Sequence, residues 1–230
     1  MSAIRSQLFP ADSDEDYRGW MDDLVRIFRP RVRSVLAAEF QRQLAAAEGG
    51  GDVYAAAVTH SGGLAWRTAV NTRGAHTAAA ADAGTAGAAD SAATAGAAAE
   101  AAAAAADDAH VRRLRWSPAE WTAHRARNSP LTADLLADLE AWISDSTHVE
   151  ATSWTHVRRI LVDLIVESVD SDDVRSVFAA VGASPVLLVC ETDETHGDTD
   201  SVVAALEHLN ADHPRSADVD EALLHWRDEA

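Results

Sequence analysis

Lysine is absent from this chain: all 19 basic residues are arginine, set against 37 Asp plus Glu, for a formal net charge of −18. Cysteine is nearly absent too, and the single Cys190 excludes an internal disulfide and any multi-cysteine zinc knuckle. No stretch approaches the roughly 20 apolar residues that a membrane span needs. Met1 to Pro10 is too short and too polar to read as a secretory signal. These absences predict a cytoplasmic chain with no membrane partner. A phosphate-binding GxxxxGK[ST] loop, a dinucleotide-type GxGxxG and a GxSxG elbow are missing as well, so no cofactor is expected.

What is present begins with acid. Carboxylates hold water and cations, and the self-repulsion of so acidic a chain is tolerable where salt screens it over a few ångströms. The composition resembles that of cytoplasmic proteins from salt-accumulating halophiles. High-GC codon usage would also favour arginine over lysine and supply many alanines. From Gly74 to Ala109 the chain uses only Ala, Gly, Ser, Thr, Asp, Glu and His, so nothing larger than alanine or histidine is available to bury. Such a tract cannot offset its ordering entropy by packing and reads as an exposed, disordered insertion. Three regions follow: 1–73, a kinked helix plus a β-hairpin; 74–109, the insertion; and 110–230, a strand plus a helical region that packs with 1–73 as one domain.

Hydrophobic periodicity places the elements. Tyr17, Trp20, Met21, Leu24, Val25 and Phe28 recur on one helical face, and Val32, Val35, Leu36, Phe40 and Leu44 continue its phase past Pro30. This predicts one kinked helix, or two nearly collinear ones, ending at Gly49 to Gly51. Val53 to Thr59 and Leu64 to Val70 flank Ser61-Gly62-Gly63 as a hairpin whose many alanines invite a closely packed helix. Val111 to Trp116 reads as a third strand. Ser117 and Glu120 read as a capping box, with Pro118 at the first helical position of a short helix running through Trp121 to about Arg127.

Further helices are expected from Ser129-Pro130 to Ile143, from Ser153 to Val169, after Ser171 to a stop at Gly182, and near 201–209 and 217–227. The helix from Ser153 is apolar nearly all round, with only Arg159, Asp163 and Glu167 as a polar stripe, and so should be central. Pro185 to Cys190 reads as a buried strand. The expected fold is α+β and predominantly helical: a small sheet of three to four strands (hairpin 53–70, strands near 111–116 and 185–190) covered by helices.

Arginine carries the sharpest local anomaly. Leu24 to Ala38 holds Arg26, Arg29, Arg31 and Arg33 with no carboxylate, and Ala109 to Ala119 holds Arg112, Arg113 and Arg115. Arg26, Arg29, Arg33, Arg113 and Arg115, with Trp116 beside them, are the candidate partner-binding residues. Against phosphates such a set would act through salt-sensitive charge neutralisation. The plainer account is pairing with the protein's own carboxylates or an acidic partner. Residues 132–169 can be forced into a DNA-binding helix-turn-helix, but its recognition helix would need an exposed polar face.

Glu191 to Asp200 follows the buried strand, where ligands favour the carboxyl ends of strands, and Asp193, His196 and Asp198 are the candidate metal ligands for a hard cation. A solvated acidic loop explains the same residues. Cys190 in an apolar strand should be an inert thiol. The leading expectation is therefore a non-enzymatic accessory or regulatory protein that contacts a protein partner. A nucleic-acid-associated protein is the alternative, and a small metal-assisted enzyme is the third reading.

Overall fold

The computed structural model describes residues 15–47, 52–61, 65–75, 77, 108–121, 128–145, 154–191 and 199–228. The first element, α1, is a continuous helix from Glu15 to Ala46 with Pro30 inside it. Pro30 lies on the exposed side, where its missing N–H is least costly. The apolar phase read across the proline is the buried face: Leu24, Phe28, Val32, Leu36 and Phe40 are almost wholly covered.

Strands β1 (Val53–Ser61) and β2 (Ala65–Thr72) form the expected hairpin, each longer than its periodicity suggests. The third strand, β3 (Val186–Glu191), pairs parallel to β1, giving a three-stranded mixed sheet in the order β2-β1-β3. Helices α3 (Pro130–Ser144), α4 (Trp154–Val169), α5 (Asp172–Ala180), α6 (Thr199–Leu209) and α7 (Ser216–Asp228) complete the main elements, after a helical segment α2 over 108–116. The fold is thus α+β and mostly helical.

One expected strand is absent. Residues 111–116 are helical and add nothing to the sheet. Val111 and Leu114 are three apart, the spacing of one helical face, and this local period prevails over the alternation read from Val111 to Trp116. The expected capping box also fails. Ser117 makes no side-chain cap, and Pro118–Glu120 is a single 3-10 turn that ends at an extended Trp121. The remainder of that expected helix, 122–127, lies outside the described residues, as does nearly all of the Ala-rich insertion.

Helices cover both faces of the sheet. On the first face Val53, Ala56, Val58, Trp66, Val70, Leu187 and Val189 join a core with α1, α3, α4 and α5. On the second, Tyr54, Ala55, Ala57, Ala69, Leu188 and Cys190 meet Trp116, Trp121, Leu206, Ala222 and Trp226. The hairpin alanines leave room on this face for tryptophan. A register irregularity between Val53 and Ala55 turns both Tyr54 and Ala55 to the second face, which simple alternation would not do. The recognition helix of the helix-turn-helix reading, α4, buries Val157, Leu161, Leu164, Ile165 and Val169 in the first core and exposes Arg159, Asp163 and Glu167, while the turn before it lies outside the described residues.

Side-chain amides occupy the two sheet edges. The Asn210 amide accepts from the Leu187 N–H and donates to the Leu187 carbonyl, both at 2.9 Å, so it stands in for a neighbouring strand's peptide group. On β2, Gln43 donates to the Thr68 carbonyl at 3.2 Å and Asn128 to the Trp66 carbonyl at 2.7 Å. Edge strands with unpaired backbone are templates for aggregation, and these amides blunt both.

Candidate functional site

The two arginine windows lie on opposite sides of the sheet. α1 packs on the first face, whereas Trp116 is buried in the second core, so the windows do not form one continuous patch. On α1, Arg29 reaches Glu167 of α4 at 2.8 Å and Arg31 pairs with Asp138 of α3. These contacts tie α1 to two neighbouring helices. Arg26 instead pairs with Asp23 one turn away, and both side chains are more than half exposed. Arg33 has no carboxylate within ion-pair distance among the described residues, and its buried Nε makes no hydrogen bond there.

The second window is built into a network. Arg115 is only 19% exposed and bonds Asp218 at 2.8 Å as well as Glu221, both on α7. Its guanidinium also lies 4.9 Å from the Trp116 ring centroid and 5.3 Å from that of Tyr54, within cation–π range. The Tyr54 and Trp116 rings meet edge to face at 5.7 Å. The Tyr54 hydroxyl donates to the Arg115 carbonyl and accepts from Asn71, and burial pushes its pKa well up. Trp116 is fully buried, so its ring has no surface to offer a partner. Arg113 stays near the surface, 3.6 Å from Glu120.

Asp218 collects more than Arg115. Arg73, just past β2, and Arg215, just before α7, approach its other oxygen at 3.7 and 3.5 Å. Three arginines from separate stretches of chain thus meet one carboxylate. Sequence reasoning placed Arg115 in a cluster but missed Tyr54, Arg73, Arg215, Asp218 and Glu221. The one signal was the spacing of Asp218 and Glu221, three apart and hence on one helical face.

At the carboxyl ends of the parallel strands, His60 and Glu191 are register partners, and Arg158 of α4 pairs with Glu191. Burial lowers the His60 pKa, the Glu191 charge opposes that shift and Arg158 adds to it. The imidazole is therefore neutral at neutral pH. Asp193, His196 and Asp198, the candidate metal ligands, lie outside the described residues, and among the described residues no group of His, Cys, Asp or Glu is arranged to hold a metal ion. Cys190 is buried, as its apolar strand predicts.

A buried carboxylate on the other face is structural. Glu39 of α1 accepts from the Ser129 backbone N–H at 2.9 Å and from the Thr132 hydroxyl, while Arg42 bonds its other oxygen. Ser129 is the N-cap of α3, so Glu39 performs from another helix the task that a capping-box glutamate performs within one. Burial raises its pKa, but the hydrogen bonds from Ser129, Thr132 and Arg42 outweigh that, and the net shift is downward.

No protein-family model matches the chain, and searches of curated proteins and of solved structures find no significant match. Among the described residues no helix is long and apolar enough to cross a membrane.

Proposed function

We propose that the protein is a non-enzymatic, cytoplasmic accessory or regulatory protein of a salt-accumulating cell, acting through contacts with another protein. The observation that carries this reading is the fate of the arginines. Arg29, Arg31 and Arg115 are engaged by carboxylates elsewhere in the chain, which weakens the case for a phosphate-tracking surface. The outer stripe of α1, with Asp22, Arg26, Pro30 and Ser34 exposed, is the contact surface that remains. Its Arg26–Asp23 pair is a solvated surface pair, which a partner can take over at little cost.

The test combines recovery of a partner with an Arg26→Glu change. Affinity purification from a high-salt lysate should recover one protein in near-stoichiometric amount, and Arg26→Glu should lose it while leaving the melting temperature unchanged. A mobility shift with DNA or RNA at moderate salt, abolished by the same change, would replace this reading with the nucleic-acid one. Equal recovery by Arg26→Glu would remove α1 as the contact surface.

A further inference from the structure

A cleft of about 320 Å³ opens where the amino ends of β1 and β3 meet the end of β2, lined among others by Asp52, Arg73, Gly182, Ser184, Pro214 and Arg215. Its lining carries two arginines and Asp52, and Asp218 of α7 lies within ion-pair distance of both arginines. The ion pairs here are also loose. Arg73 lies 4.0 Å from Asp52 and 3.7 Å from Asp218, and Arg215 lies 3.5 Å from Asp218. Several surface pairs elsewhere close to 2.6–2.7 Å, as at Arg26, Arg175 and Arg227.

The nearest carboxylate is engaged through one oxygen, while its buried Oδ2, which faces Arg73 and Arg215, makes no hydrogen bond among the described residues. Asp218 gives its Oδ1 to Arg115 at 2.8 Å, and Arg115 is bonded by Glu221 as well. Arg215 is held in place by donating to the Ser184 carbonyl at 2.7 Å, and Arg73 lies 5.9 Å from the Tyr54 ring centroid. Each guanidinium has five N–H donors in a rigid fork, so both keep donors beyond these contacts. Asp52, half exposed at its side chain, can swing away from Arg73 toward water. Forked guanidiniums match the oxygens of a tetrahedral oxyanion better than they match a spherical halide.

We propose that this cleft is an anion site that takes a phosphate group, free or as the monoester of a small molecule, between Arg73 and Arg215. The apolar walls from Val53, Ala183 and Pro214 would accommodate the ester's carbon skeleton. The site lies at the opposite end of the sheet from the His60–Glu191 pair, and it does not depend on the contact role of α1.

The full chain should be titrated with inorganic phosphate at constant ionic strength, chloride being the balancing anion, with melting temperature and phosphorus NMR line width as readouts. Saturable binding by the wild type is expected, weakened about tenfold or more in Arg73→Gln and Arg215→Gln, the loss of a bidentate charged contact, and unchanged in Arg26→Gln. Tighter binding of glycerol 3-phosphate than of inorganic phosphate would identify a monoester as the ligand class, and equal binding would identify free phosphate. A response that only tracks ionic strength, or one equal in wild type and Arg73→Gln, overturns the proposal. Arg73 makes only long contacts, so its variant should fold and decide the matter even if Arg215→Gln does not.

Discussion

The two faces of the sheet are held by different physics. On the α1 side the core is mostly aliphatic and phenyl with Trp66 among them, Leu24, Leu36 and Phe40 are fully covered, and Glu39 is a buried carboxylate. On the α7 side, alanines, tryptophans and Tyr54 pack beneath a partly buried network of Arg115, Asp218 and Glu221. The first face draws its stability from excluded water and filled volume, which salt alters little. The second adds charge pairs at intermediate burial, which salt screens and a missing partner exposes. The first face also has ion pairs from α1, to Glu167 and Asp138, but their side chains are more exposed than the Arg115 network of the second.

Removing volume should have the largest effect. Phe40→Ala empties a wholly buried site, and about 3–5 kcal/mol should be lost in urea unfolding, with little change between moderate and high KCl. Next in size, Asn210→Asp takes the side-chain donor from the Leu187 carbonyl and one of two donors from that of Leu206, and about 2–3 kcal/mol is expected by the same measurement. If that variant is as stable as wild type, the edge is closed by something other than the amide.

On the second face Arg115→Gln strands Glu221 and leaves Asp218 only the longer contacts of Arg73 and Arg215. A loss of about 2 kcal/mol is expected, less than for a fully buried pair because these side chains keep some water. The loss should shrink as KCl rises, unlike that of Phe40→Ala, and an equal salt response in the two variants would erase the contrast between the faces.

Glu39 gives a smaller, pH-dependent signal. Its folded pKa lies below the unfolded value of 4.5, so the unfolded chain takes up the proton first as pH falls. The contribution is complete above that value and disappears as pH drops through the folded pKa, and Glu39→Gln should flatten this part of the stability profile. Smallest of all, Arg26→Ala breaks an exposed pair and should shift stability by less than ~0.5 kcal/mol.

Much of the architecture was legible locally. The buried face of α1, the hairpin, the apolar circumference of α4, the Ser129 cap and the strand ending in Cys190 all follow from residue spacing within a turn or a strand. The 111–116 segment misled because six residues with mixed spacing fit either period, and neither alternative is excluded without knowing what they pack on. The arginine windows were visible as anomalies, but their partners were not. Trp116 beside three arginines reads as a partner-binding residue, and the fold buries it completely.

Composition and periodicity by themselves determined the acidic surface, the absence of disulfide chemistry and the placing of most helices and strands, since each is set by residues close together in the chain. Only the tertiary structure decided what the arginines do. Arg115 meets Asp218 and Glu221 across 103 and 106 residues, and Glu39 caps a helix 90 residues away. Such pairs exist once the sheet has closed between its two helical layers, and no local pattern encodes them.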